Sequence, residues 1–490
     1  CPFCLISRAA ILLLLLHLCY RVIRIHKFSQ FFTSLEGSTL LNRLTRITDA
    51  LNRSTDYHYD ALNRLVESID ALGGISQQRF DADGQSLIDP NGHLTQLHFD
   101  KQGRLIAEQV ATGDQVSYHY DAANRLTEII NGRQQQQTLT YDAAGRLVSR
   151  TDAEGSITYT YDANGNMLTV NNAQGTIVRE YDALNRVTHY TDTRGNTLQY
   201  TYDALGNLVK LSYPDGKAVH YRYDKANRLI QVTDWASHET HYRYDANGRL
   251  IQTVRPNGTQ QLRVYDVAGR LVQQTDSVVA TGAIITQFDF SYDAVGNIVK
   301  EQSYPEVEPT TNTLEMTYQA ANRLKTVNEQ TVQFDADGNM VYGPLGKNWS
   351  DFEFDVHNRL ITAGESVYHY NAESQRIGVN QTQYVVNAQP ELSQVLVGDE
   401  KGVKTFYVYG LGLIGEETEG EYRAYHFDYR GSTVALTDKA GQVIERFQYG
   451  SYGALISGEA ATTPFLFNGA YGVMTDGNGL YYMRARFYSP

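Results

Sequence analysis

Cysteine is nearly missing. Its three copies, Cys1, Cys4 and Cys19, all lie in the first 19 residues, so no disulfide can staple the rest of the chain. That excludes a small secreted domain built on disulfides; a large secreted protein without them stays allowed. Basic charge is also short: 42 Lys and Arg face 55 Asp and Glu, a net charge of −13. A phosphate backbone asks for a basic face, so the balance argues against nucleic acid as the main partner. Lysine numbers 11 against 31 arginines, an imbalance that asks for a positional explanation. Proline numbers only 10, while hydrophobic residues reach 42% and charged residues 20%. A disordered or collagen-like chain is therefore excluded too. The first methionine is Met167, which sets the expectation that the chain is a fragment at its N-terminal end.

Long hydrophobic runs are limited to one place. Residues 9–16 are unbroken apolar sequence, extended past His17 to Tyr20, with Arg8 before it and Arg21, Arg24 and Lys27 after it. The run falls short of the ~20 residues of a spanning helix and fits a signal h-region or a short interfacial anchor. Residues 1–39 are thus expected to be a hydrophobic tail or anchor, or sequence foreign to the fold, with membrane association through residues 9–20 left open. Cys1-Pro2-Phe3-Cys4 has CxxC spacing but no strand-to-helix context, and zinc would need His17 and Cys19 at no recognised spacing. No redox or metal role is assigned to it.

What the chain has in plenty is tyrosine, 36 of 490 residues, and a repeat. Tyr59-Asp-Ala-Leu-Asn-Arg-Leu65 returns as Tyr120-Asp-Ala-Ala-Asn-Arg-Leu126, Tyr141-Asp-Ala-Ala-Gly-Arg-Leu147 and Tyr181-Asp-Ala-Leu-Asn-Arg-Val187, at steps close to 21 residues. Sixteen such units run from Tyr59 to Tyr370, and a worn copy ends in Leu41-Asn42-Arg43-Leu44. Each slot has a physical reading. Asp in the second slot can accept backbone N–H bonds two residues on. Gly or Asn in the fifth, with Ser374 the one departure, accepts positive φ cheaply. Together they predict a hairpin tip, a type I turn closed by a left-handed residue. Before each tip, runs such as Tyr159-Thr160-Tyr161 and Tyr221-Arg222-Tyr223 alternate with period two, a strand with one aromatic and one polar face. After it comes a returning strand and a second turn signal, as at Asp192-Thr193-Arg194-Gly195 and Arg255-Pro256-Asn257-Gly258. The fold class is therefore all-β, a ribbon of hairpins. Arg in the sixth slot accounts for the arginine surplus; it suits stacking on aromatics, pairing with the Asp ladder, or a ligand.

The units resemble those of the YD-repeat, or Rhs, family. Tyr425-His426-Phe427-Asp428-Tyr429-Arg430-Gly431-Ser432 resembles the start of the Rhs repeat-associated core, and Asn478-Gly479-Leu480-Tyr481-Tyr482-Met483-Arg484-Ala485-Arg486-Phe487-Tyr488 resembles its end. The resemblance divides the chain into the tail at 1–39, repeats at 40–377, a divergent connection at 378–424 and the core at 425–490. It implies a large hollow β-shell, or part of one, that encloses and delivers a C-terminal toxin domain. It also implies a secretion or delivery component as partner and a secreted or cell-surface location. The resemblance further implies that, as in many bacterial members, an Asp-Pro-containing segment beyond the core would release the toxin by self-cleavage. The chain stops at Tyr488-Ser489-Pro490, with Ser489 where the family usually has Asp. No catalytic, cofactor-binding or metal residue is assigned, and no cofactor; the chain is expected not to be an enzyme. A surface adhesion or carbohydrate-binding module stays open as the alternative, and a self-cleaving enzyme would need residues beyond 490. Sixteen units make about 32 strands and a ribbon of roughly 150 Å, which closed as one ring would be ~50 Å across with a lumen near ~40 Å.

Two further patterns carry less. Asp81-Ala-Asp83-Gly84 and Asp335-Ala-Asp337-Gly338 hint at calcium loops but lack the Glu of an EF-hand and fall on hairpin tips. The 13 histidines occupy polar strand positions, such as His58, His119 and His241, where cross-strand pairing or solvation is expected.

Overall fold

The computed structural model describes residues 32–38, 43–82, 84–306 and 313–490. The expectations for Cys1, Cys4, Cys19, the run at 9–20 and Asp83 lie outside the described residues. Helix among the described residues is confined to the 3-10 turns Ala320–Asn322, Ala460–Thr462 and Gly469–Tyr471; regular structure is otherwise strand. The chain divides into two compact units, Cys1–Gln96 with Tyr292–Val299, and Leu97–Ser291 with Lys300–Pro490.

In the smaller unit, Arg43–Asp49, Ser54–Tyr59, Leu65–Ile69, Ile75–Phe80 and Gly84–Ile88 pair antiparallel, each with the next. Its side chains are mostly half-buried; among the described residues only Thr48 and Gln85 are fully buried. Local turn chemistry and cross-strand pairs hold this part, as where Arg46 grips Asp56 with Nε at 2.5 Å and Nη2 at 3.0 Å.

The larger unit repeats the same hairpin in two series. The first runs from Leu105–Gln109 to Leu271–Val278, and the second is a thirteen-stranded sheet from Gln333–Phe334 to Val443–Arg446. The expected alternation is present: in Thr197–Tyr202, Leu198 and Tyr200 are buried while Gln199 and Thr201 are exposed. Apolar and tyrosine faces of both series join one core, from Ile157, Val170 and Leu198 through Tyr384, Tyr407 and Tyr425.

Each tip closes as the slots require. At Asp142, its N–H donates to Arg146 O at 2.9 Å, while the Gly145 N–H donates back to Asp142 O at 3.0 Å. Gly145 has φ 79°, and the register slips by one residue between Thr140 and Tyr141. This is a type I turn with a bulge at the left-handed residue. Asn185 at 60°, Gly206 at 89° and Gly248 at 80° do the same, and Ser374 follows at 62° without being Gly or Asn.

The two series lie side by side and advance together along the sequence. Arg133 of the first meets Asp337, 204 residues on. Tyr200 meets Asn387, 187 residues on. Asn257 meets Thr437, 180 residues on, and Asp276 meets His426, 150 residues on. In this unit the ribbon thus returns alongside itself, so the single ring of about 32 strands is replaced by a shorter repeat distance. Two turns of the first series dock through arginines, Arg133 and Arg194, on backbone and side-chain acceptors of the second.

Candidate functional site

Two constructions recur, the hairpin tip and the seam where the first series docks on the second. In the tip, Asp142 Oδ1 accepts the N–H groups of Ala144 and Arg146, each at 2.9 Å, and Oδ2 accepts Arg146 Nε at 2.7 Å. Backbone and guanidinium donors of Arg146 hold this half-buried carboxyl below its ordinary range, the backbone N–H first. The same guanidinium lies 4.9 Å from the ring centroid of Tyr161 in the next repeat and donates to Asp162 O at 3.0 Å. Tyr161 Oη in turn donates to Leu147 O at 2.7 Å. Stacking and pairing, weighed as alternative uses of the sixth-slot arginine, are met by one side chain together. The YD motif is thus a clasp between consecutive repeats.

At the seam, the second turns of the first series sit on the tips and strands of the second. Gly132 N–H and Arg133 Nε both reach Asp337, at 2.6 Å each, and Arg133 also donates to Phe354 O at 3.0 Å and Asn358 Oδ1 at 2.9 Å. Asp337 is therefore engaged by protein groups, and Asp335 by the N–H groups of its own turn and by Asn339 Nδ2. Among the described residues, no group of three or more His, Cys, Asp or Glu is placed to hold a metal. Further along, Arg179 grips Glu373 at 2.6 Å, Tyr213 Oη donates to Tyr407 O at 2.6 Å, and Trp235 Nε1 donates to Glu417 Oε2 at 2.8 Å.

The seam also holds two histidines that depart from the solvated reading. His58, His119 and His189 do pair across strands with Glu67, Glu128 and Glu180. His426, by contrast, is fully enclosed: Nδ1 lies 2.8 Å from Asp276 Oδ1 and Nε2 lies 2.9 Å from Thr437 Oγ1. Arg255 Nη1 and Gln261 Nε2 complete the shell of Asp276, each at 2.9 Å. Burial first, then Arg255, pushes His426 down to about 4. His357 lies against Arg150, 2.9 Å from Nε2, and is likewise pushed down to about 4 by burial and that cation. Sequence alternation cannot separate these two from His58, since what covers them arrives from more than 140 residues away.

The C-terminal segment packs on the tyrosine face of the second series. Leu480, Tyr481 and Tyr482 are buried, as expected for aromatic strands needing a surface. Its anchor is Arg376, whose Nη1 meets Asp476 at 2.8 and 2.7 Å, with the Tyr482 ring centroid 4.0 Å from its Cζ. Asp428, the second-slot acid of the tip at 428–432, behaves unlike the others. Its sixth-slot partner is Ser432 instead of Arg or Asn, and burial raises its carboxyl to about 6.

The family described as Teneurin YD-shell matches residues 115–265 and 258–476, and RHS Repeat matches residues 40–75. A tRNA3(Ser)-specific nuclease WapA from Bacillus spizizenii is 25% identical over 220 residues, covering 42% of this chain and 9% of the relative. Double-stranded DNA deaminase toxin A from Burkholderia cenocepacia is 26% identical over 216 residues, covering 41% of this chain and 14% of the relative. The matched region is thus a small part of each relative's length. Among solved structures, TcdB2-TccC3 superposes with TM-score 0.59 at 14% identity over 90% of this chain and 33% of that one. At that identity the likeness is one of fold.

Proposed function

The chain belongs to the Teneurin YD-shell family, and from this premise we propose that it is a structural β-shell enclosing a polypeptide that continues from its C-terminal core. The carrying observation is the seam. A ribbon whose turns dock on its own later tips, again and again, makes a wall. Its dedicated side chains, the YD clasps and seam arginines, serve that wall. We read residues 40–377 as repeats, 378–424 as a connection and 425–490 as the Rhs core that covers one end. The chain itself performs no catalysis in this reading; the toxin domain is the partner, delivery is outside the producing cell, and a delivery component completes the path. The relatives whose names print a nuclease or a deaminase toxin support a toxin as cargo.

The test appends a small protease-sensitive domain after Pro490. Enclosure predicts digestion much slower than for the free domain. Digestion at the free rate in a well-folded fusion would overturn the reading.

A further inference from the structure

Two histidines of the seam, His426 buried and His357 half-buried, stand between groups of both series. Both stand on the second series, and both are covered by the first. His426 faces Asp276 from the first series, itself held by Arg255 and Gln261, with Thr437 from its neighbouring strand. Arg446 adds a second cation to its surroundings. His357 faces Arg150, Gln137 and Asp152 from the first series, with Asp355 and Arg359 from its own tip. Glu154 is spent on the Val356 N–H beside it, and Arg133 on the same tip's Asn358. Each ring thus sits between an acid and arginine, in a space that closes only when the two series touch.

We propose that this seam is an acid-operated clasp, in which protonation of His357 and His426 lifts the turns of the first series off the second. In the closed seam each ring is neutral and its hydrogen-bonding capacity is used. A proton on His426 would need both ring nitrogens to donate while Arg255 stands at the same Asp276 oxygen. A proton on His357 would meet the Arg150 guanidinium at hydrogen-bond distance. In the opened seam both rings are solvated and titrate near the ordinary ~6.5. The sign follows: the open form binds more protons, so opening is favoured as pH falls below ~6.5, and the gain saturates near 4, where the closed form also titrates. Over that window the opening constant rises up to about tenfold per pH unit for each histidine. The inference concerns the seam itself and stands whether or not a cargo is enclosed.

Hydrogen exchange of the whole chain from pH 7.5 to 4.5, corrected for intrinsic rates, reads the opening directly. The turns at 152–155 and 255–259 should open more as pH falls, with the strands of their own hairpins still protected. The turn at 192–196, which docks through Arg194 on backbone carbonyls, serves as the control in the same molecule and should show a much smaller slope. His357→Gln should flatten the response at 152–155 alone, and His426→Gln at 255–259 alone. If His426→Gln fails to fold, the wild-type contrast between the histidine ends and the 192–196 turn still decides. Equal slopes at all three turns, loss of protection throughout both series together, or glutamine variants with the wild-type slope would each overturn the clasp.

Discussion

Replacing Gly132 with alanine puts a methyl group where the second series already has backbone. An ideal Cβ at this position would stand 2.1 Å from the carbonyl oxygen of Ala336 and 2.7 Å from its carbon. A carbonyl held in a tip cannot swing aside as a side chain would, so the two series must separate locally by ~1 Å to regain ordinary contact. That gap falls on Gly132 N–H and Arg133 Nε, both 2.6 Å from Asp337, and stretches them beyond useful hydrogen-bond length. Overpacking costs about 1–3 kcal/mol, and weakening bonds to a charged group about 1.5–3 kcal/mol. The expected local loss is therefore ~3–5 kcal/mol, read by amide exchange across the turn at 131–135. Gly206→Ala is the control: φ there is 89° and nothing lies within 4 Å of its Cβ, so only the backbone term of about 1 kcal/mol applies. If Gly132→Ala leaves exchange at 131–135 within about 0.5 kcal/mol of wild type, the close docking of turn on tip is wrong.

Gly206→Val should cost about 1–2 kcal/mol in denaturant unfolding, because a β-branched residue resists φ near 89°; a neutral result would remove the tip assignment. Arg376→Met should strand the Asp476 carboxylate in the core and cost about 3–5 kcal/mol, with early proteolytic cuts between 474 and 488; slow, unchanged proteolysis would show that the pair does not anchor this segment. Asp428→Asn should stabilise at neutral pH. The carboxyl is raised to about 6 when folded, so its folded form favours protonation. Stability from that source is full below ~3.8 and lost as pH rises through about 6. Allowing for partial exposure, the gain at pH 7 is ~1–2 kcal/mol, and the variant should lose this pH dependence. A variant less stable than wild type at pH 7 would contradict the assignment.

The hairpin tips were legible because their causes are local. Asp142, Gly145 and Arg146 act within five residues of one another, so spacing and residue type are enough. Which of several uses the arginine would serve was not separable, since Tyr161 and Asp162 occupy the same side of it. The seam was not legible at all. It joins Arg133 to Asp337 and His426 to Asp276, pairs whose proximity depends on how far the ribbon travels before it returns. Twist and strand number set that distance, and neither is written in any one repeat. For the same reason Tyr425-His426-Phe427 reads as an ordinary alternating strand, although both its faces are covered here, Tyr425 and His426 alike being buried. The candidate site accordingly had no residue named in advance. Its parts are repeated scaffold residues that differ only in what lands on them, Asp428 with Ser432 in place of arginine being the visible local exception.

Enclosure is tested most directly by where the appended mass lies. Neutron scattering on a fusion, with a deuterium-labelled domain after Pro490 and the chain itself contrast-matched in turn, gives the distance between the two centres of mass. A domain carried outside a compact 490-residue body would sit roughly 40 Å from its centre. The account predicts a separation well under half of that. A separation near 40 Å would contradict it.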